Sequence, residues 1–348
     1  MSLPPSEIPQ GAIRFNTDSQ RLEFYAQDQW WIMSTHDTKL SESGAEPTPG
    51  DRGFFAGGIK LTPSPTVYRT EIDAINIAST GSTYDFGDLL VAAFGASACA
   101  SRTRALQGQK EASSGGYSAQ VDAWEIASKG NIFDFGDLHG AKRSGGGGSN
   151  QTRGLFFGGQ PGSGSLANTD LFTISTLGSR QDFGDMSTTL AEGFASGINS
   201  PTRTIAAGGG SSKQAIYATI PTTGSWMDFP DSDALFVGGQ GGNSGASNAT
   251  RGFFIVSAPG TQSDVIQYNT ISSLGHFSNF GDLTDGRASI SGASSKTRAV
   301  FSGGNDGSAD SNIIDYVQIS TTGKAADFGD LVVTRRAAGG TSNGHGGL

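Results

Sequence analysis

Gly81-Ser82-Thr83-Tyr84-Asp85-Phe86-Gly87-Asp88-Leu89 is a phrase to which this chain keeps returning. Later copies centre on Asp134-Phe135-Gly136-Asp137, Asp182-Phe183-Gly184-Asp185, Asp228-Phe229-Pro230-Asp231, Asn279-Phe280-Gly281-Asp282 and Asp327-Phe328-Gly329-Asp330. Successive copies lie 49, 48, 46, 51 and 48 residues apart. A near-constant period in the forties is the mark of a repeat architecture, each repeat being one unit that buries its apolar face against its neighbours.

Working outward from the phrase, each unit opens with an arginine: Arg52, Arg104, Arg153, Arg203, Arg251 and Arg298. Thr precedes it in every unit but the first, where Asp51 does. An apolar run follows, often ending in two glycines, as in Phe54-Phe55-Ala56-Gly57-Gly58 and Leu155-Phe156-Phe157-Gly158-Gly159. After a loop comes a segment ending in Ile77, Ile126, Ile174, Ile220, Ile271 or Ile319, four residues before a glycine and nine before the Phe of the phrase. A segment rich in Gly, Ala and Ser then leads to the next arginine. This predicts four short strands per unit: A, the small-residue segment; B, the apolar run; C, ending at the Ile; and D, the phrase. Four antiparallel strands in under about 50 residues make one propeller blade, with the small residues of A nearest the crowded axis. The expected fold is therefore all-β, a six-bladed propeller over residues 51–348. The first unit lacks a strand A before it, and residues 337–343 form a strand A with no strand B after it. That C-terminal strand is expected to complete the first blade and close the ring without an open edge.

The first 35 residues stand outside the repeat. Gly11-Ala12-Ile13-Arg14-Phe15-Asn16-Thr17 alternates, Arg21-Leu22-Glu23-Phe24-Tyr25 alternates again, and Trp30-Trp31-Ile32-Met33 is a third apolar run, which together predict a small three-stranded meander. Three strands are barely stable alone, so a docking or oligomerising role is expected for residues 1–35. Residues 36–50 are polar and aperiodic and read as a linker.

Two resemblances follow from these residues. The pattern Gly-Ala-Ile-Arg-Phe-Asn-Thr-Asp, Leu-Glu-Phe-Tyr and Trp in residues 11–31 resembles a short module of bacteriophage tail-fibre and other appendage proteins, especially marine and cyanobacterial ones. The units of 51–348 resemble kelch repeats, with Phe where kelch has Trp and without the glycine pair at Gln109 and at Val256-Ser257. Together they imply a virion structural protein of tail- or collar-fibre type, assembled in the host cytoplasm. Such a protein contacts other virion proteins through residues 1–35, is a homo-oligomer (a trimer by family expectation), and binds a host-surface glycan or protein. A decoration protein without ligand and a carbohydrate-active propeller are the other readings.

Composition narrows the chemistry. The 348 residues carry a net charge of −9, which disfavours nucleic acid and anionic membrane as partners. No apolar run is long enough for a membrane span. Cys99 is the single cysteine, so no intrachain disulfide forms. Asp-Phe-Gly also occurs in protein kinases, but there once, beside a His-Arg-Asp loop and a Val-Ala-Ile-Lys strand that this chain lacks. His36, His139, His276 and His345 are scattered. No nucleophile elbow, phosphate loop or dinucleotide fingerprint stands in context, so no catalysis and no cofactor are expected. The arginines at the head of each unit are expected to tie carboxylates or carbonyls. Asp88, Asp137, Asp185, Asp231, Asp282 and Asp330 are read as turn caps, with calcium ligation as the alternative. Spacing from arginine to Ile varies from 17 to 25 residues, whereas Ile to phrase never varies. The B–C and D–A loops share one face of a propeller, so that face is the variable one, where binding belongs. Its candidate loops are 59–69, 109–119, 160–168 and 305–312.

Overall fold

The computed structural model describes residues 8–16, 21–32, 50–130, 132–178, 180–187, 194–208, 214–230, 245–255 and 262–348. The chain divides into two compact units, Met1–Glu46 and Pro47–Leu348. The described residues of the first form one antiparallel sheet of Ile13–Asn16, Arg21–Ala26 and Gln29–Ile32.

The second unit contains six four-stranded antiparallel sheets. Blade 1 is built from Gly339–Ser342 (A), Arg52–Ala56 (B), Glu71–Asn76 (C) and Tyr84–Asp88 (D). Blades 2 and 3 run Ser97–Ala100, Arg104–Gly108, Gln120–Glu125, Phe133–Asp137 and Gly146–Ser149, Arg153–Phe157, Asn168–Thr173, Gln181–Asp185. Blade 4 is Phe194–Asn199, Arg203–Gly208, Ala215–Thr219 and Met227–Phe229. Blades 5 and 6 are Gly245–Ser247, Arg251–Ile255, Ser263–Thr270, Ser278–Arg287 and Ser291–Ser294, Arg298–Ser302, Ile313–Gln318, Ala326–Asp330. The ring closes as strand order predicts, with Gly339 opposite Ala56 and Ser342 opposite Gly53. Asn343 completes the splice. Its Oδ1 accepts from the Arg52 amide at 2.9 Å, the turn contact that Asn150 makes to Arg153 and Asn248 to Arg251 within continuous chain.

The core lies between blades, not within them. Phe54 and Phe86 of blade 1 pack with Ala105, Trp124 and Ile126 of blade 2. Five further clusters repeat this arrangement around the ring, the last joining Val300 and Phe328 of blade 6 to Phe55 and Ile77 of blade 1. Burying these aromatics, edge to face in most interfaces and tilted for Phe157 on Trp226 between blades 3 and 4, supplies the main driving force. The phrase accounts for the geometry of the outer strand. Its Phe is buried in every blade. In blade 1 the ladder shifts register between Ile72 and Asp73, so that Phe86 bulges inward from strand D. The following glycine receives the next blade's C–D turn. A Cβ on Gly136 would stand 2.8 Å from the Gly178 oxygen, and one on Gly329 2.5 Å from the Gly81 carbonyl carbon, at φ of 147° and 143°. The turn glycine donates in return, as Gly81 N does to Phe328 O at 2.7 Å. The phrase glycine and the turn glycine are thus partners across five of the six interfaces, Pro230 standing at the phrase position of blade 4.

Candidate binding face

The arginines stand on the uniform face, and each binds a backbone carbonyl, while Arg104 also pairs with the Glu125 carboxylate at 2.6 Å. Arg104 Nη1 donates to the Ile174 carbonyl at 2.8 Å, Arg153 to Ile220 at 3.0 Å and Arg203 to Ile271 at 3.0 Å. Arg251 reaches Ile319 at 2.7 Å, Arg298 reaches Ile77 at 3.0 Å, and Arg52 reaches Ile126. Each guanidinium therefore binds the repeat Ile of the next blade, and Arg298 closes the circle onto blade 1. The amide of that Ile donates to the residue preceding its own blade's arginine, as Ile126 N does to Thr103 O at 2.8 Å. Of the two expected kinds of partner, carbonyls recur in every blade, and a carboxylate joins at Arg104. Charge-assisted bonds of this kind contribute about 1.5–3 kcal/mol each.

The phrase carboxylates lie on the outer strands. Asp88, Asp137, Asp185 and Asp330 are exposed, Asp282 is half-buried, and Asp231 lies outside the described residues. Asp88 accepts from Thr70 Oγ1 at 2.8 Å, and Asp282 stands 3.5 Å from Lys324. The first carboxylates of the phrase, Asp134, Asp182 and Asp327, accept from the amides of Gly136, Gly184 and Gly329. Charged side chains along an outer edge also discourage pairing with another sheet.

The axis is filled. Ser149, Asn199, Ser247, Ser294 and Ser342 occupy one position of strand A and stitch neighbouring strands together. Ser342 Oγ, for example, donates to Ser294 O at 2.6 Å, and Ser294 Oγ to Ser247 O at 2.8 Å. Ala100 is the blade-2 residue of this ring and has no hydroxyl. There the C-terminal segment enters, and His345 Nε2 lies 2.9 Å from Ala100 O and 3.1 Å from Ser149 Oγ. A Cβ on Gly346 or Gly347 would stand 2.0 Å from the Asn199 or Ser149 oxygen. The space left, lined by Cys99, Ser149, Ser294, Thr341 and His345 among others, is about 10 Å³, room for a single water. Burial holds the Cys99 thiol up at about 12, so it is inert.

The variable face is built differently. Four strand-C carboxylates, four residues before the repeat Ile, are buried against cations. Asp73 pairs with Arg335 at 3.0 Å, Asp170 with Lys142 at 3.0 Å, Asp315 with Arg287 at 2.6 Å, and Asp122 with Lys110. Burial pushes the carboxyls of Asp73, Asp122 and Asp315 upward, and the cation beside each opposes that shift. These cations anchor loops. Arg335 Nη1 donates to Gly57 O at 2.9 Å and Glu71 O at 2.8 Å, the two ends of the blade-1 B–C loop. Further out the loops tie to one another. Asp310 of blade 6 accepts from the Thr62 amide of blade 1 at 2.9 Å, and Asn305 Nδ2 donates to Thr62 Oγ1 at 3.1 Å. Arg143 pairs with Glu111 of blade 2, donates to Gln160 of blade 3 at 3.2 Å, and lies over Tyr117 at 5.3 Å. Phe94 packs on Tyr68 of the blade-1 loop and pairs with Glu111 of the blade-2 loop, so the four candidate loops are linked from blade 6 through blades 1 and 2 to blade 3, while their tips, Pro63–Thr66, Ser113–Gly116, Gly162–Gly164 and Asp306–Ser308, remain exposed. The B–C loops of blades 4 and 5 lie largely outside the described residues.

Sequence reasoning missed the buried carboxylates. Their signal was present: Asp stands at that strand-C position in four of the six units, with Ile216 and Gln267 in the others.

No family model matches this chain, and no curated protein matches it. Among solved structures it is similar to that of YjhT, with a TM-score of 0.57 and 12% identity over 72% of this chain and 87% of that one. At that identity the likeness shows the shared fold alone.

Proposed function

We propose that this chain is a non-enzymatic structural protein of a bacteriophage virion, of tail- or collar-fibre type, whose propeller is displayed to bind a host-surface glycan or protein. The observation that carries the binding role is the asymmetry of the two faces. One is uniform and laced by arginine–carbonyl bonds. The other presents loops of unequal length on a base held by buried ion pairs, the arrangement of a rigid scaffold carrying recognition loops. The axial channel, where propellers can hold small ligands, is filled by His345 and the glycines beside it. The appendage role rests on the resemblance of residues 11–31 to phage fibre modules, and in it residues 1–35 dock the chain to other virion proteins.

The test is adsorption competition with the purified full chain against candidate host cells. Binding to cells and blocking of virion adsorption are expected, and replacing residues 63–66 and 306–308 with Gly-Ser is expected to weaken both at least tenfold. A folded chain that binds no cell and blocks no adsorption would leave an architectural protein. Hydrolysis of a host glycan by the same preparation would overturn the non-enzymatic reading.

A further inference from the structure

The N-terminal sheet has two unlike faces. Its register sets Ile13 opposite Phe24, Phe24 opposite Trp31, and Phe15 opposite Leu22, so these five side chains share one face. All five are exposed, at 64% for Ile13, 58% for Phe15, 43% for Leu22, 36% for Phe24 and 43% for Trp31. The opposite face is closed upon itself. Arg14 pairs with Glu23 at 2.8 Å and lies over the Trp30 ring at 4.1 Å. Asn16 Nδ2 donates to Glu23 at 2.9 Å, and Tyr25 packs on Trp30 at 5.3 Å. The sheet has therefore spent its charges on one side and left the other apolar. Trp31 is held in place by its Nε1 donating to Ala26 O at 3.0 Å.

We propose that this apolar face is the seam along which copies of this chain associate. Three observations select a second copy as the occupant. The face carries no charge, so the same face of a second copy meets neither repulsion nor a charge awaiting a complement. The five side chains expose on the order of 500 Å² per copy, so a two-copy seam buries on the order of 1,000 Å², the threshold of a specific interface. The flanking stretches 1–7 and 33–49 carry only Met1, Leu3, Met33 and Leu40 as large apolar residues, too few to cover it from within the chain. A three-stranded sheet of this size also needs a covered face to be stable in water. This adds a contact between copies to the docking role proposed for residues 1–35, and it stands apart from what the propeller binds: a failed adsorption assay leaves it intact, and the reverse holds.

Sedimentation velocity on the full chain at micromolar concentration is expected to show a dimer or larger assembly. Phe15→Asp combined with Phe24→Asp is expected to yield a monomer whose propeller melts as before. Because two charges could unfold the sheet itself, cross-linking supplies an independent reading. Cys99 is buried and silent, so the Phe15→Cys variant carries one reactive thiol. Under mild oxidation it should form disulfide-linked dimers on the order of 100-fold faster than Ser128→Cys, an exposed position on the propeller. A monomeric full chain, or equal cross-linking rates for the two variants, overturns the proposal. A monomer whose Phe15→Cys thiol is unreactive also overturns it, and identifies the chain's own flanks as the cover.

Discussion

His345 and Gln109 show how single residues complete a repeat that is imperfect. Gln109 stands where blades 1, 3 and 6 have Gly57, Gly158 and Gly303, and it adopts the same left-handed backbone at φ 54°. That conformation costs a non-glycine residue about 1 kcal/mol. The side chain offsets it, since Nε2 donates to Phe157 O at 3.1 Å and Gly158 O at 3.2 Å, bracing blade 3 from blade 2. His345 plays the corresponding part at Ala100. Its Nε2 faces the Ala100 carbonyl, while its Nδ1 accepts from the Gly347 amide at 3.1 Å. Only the neutral ring protonated at Nε2 satisfies both. Protonating Nδ1 would oppose two N–H groups, and burial holds the imidazole down at about 4, against an ordinary value of 6.5. Between these values the unfolded chain binds the extra proton, so this contribution is complete above pH 6.5 and is lost as pH falls toward 4. At pH 4.5 the loss should reach about 2–3 kcal/mol, or the free energy that docks the segment if that is smaller. Denaturation curves at pH 7 and pH 4.5 for the wild type and His345→Gln separate this from the carboxylates common to both. Equal losses in the two proteins would mean that the ring is not buried neutral.

At the scale of strands and loops, the buried ion pairs decide how firmly the variable face is held. Arg287 donates to Ile313 O at 3.1 Å and Asp315 at 2.6 Å, and Thr284 Oγ1 donates to the same carboxylate at 2.6 Å. Both charged side chains are fully buried. Removing one partner leaves an uncompensated charge, so Arg287→Met and Asp315→Leu should each cost about 3–5 kcal/mol. The double variant should recover most of one of those losses, because an apolar pair of similar volume replaces the ion pair at little net cost. Chemical denaturation of the four proteins measures the coupling, and strictly additive losses would show that the pair does not act as a unit. The phrase and the arginines made the strands of each blade legible in the sequence, because a buried Phe and a glycine at a close approach admit few substitutes. The ion pairs were not legible for a physical reason. Lys142, Arg287 and Arg335 each stand seven residues after the phrase Phe but pair with the Asp of the following blade, and for Asp122 that position is Ala93 and the cation is Lys110 of a B–C loop, so no single unit displays the pair. Likewise the carbonyls that receive the arginines carry no side-chain signature, which is why sequence left carboxylate and carbonyl partners open.

For the whole molecule, stability depends on the ring being continuous. Every interface buries a cluster of the same kind, and the blade-6 to blade-1 cluster joins residues more than 200 positions apart in sequence. The order of strands was enough to foresee this, since a blade with three strands at one end and a lone strand A at the other has one economical solution. The sequence pattern could not foresee that residues 343–347 run on past that strand to fill the axis, because one histidine among glycines has no periodic counterpart. Deleting residues 336–348 removes strand A of blade 1, the Asn343 contact to Arg52, the His345 plug and the Ile59–Arg336 bridge together. It exposes the edge of Arg52–Ala56 with Phe54 and Phe55 beside it, an apolar edge of the kind that recruits other chains. The expected outcome is loss of the cooperative thermal transition and aggregation at micromolar concentration. Adding the peptide of residues 336–348 in trans should restore part of the transition if the remaining strands keep their places. A truncated chain that stays monomeric and melts at the wild-type temperature would show that five blades and a three-stranded sixth hold the ring without the splice. A truncation that begins at 344 instead spares the strand and removes only the plug. It should lower the melting temperature by a few degrees and abolish the pH dependence assigned to His345, which separates closure of the ring from closure of its axis.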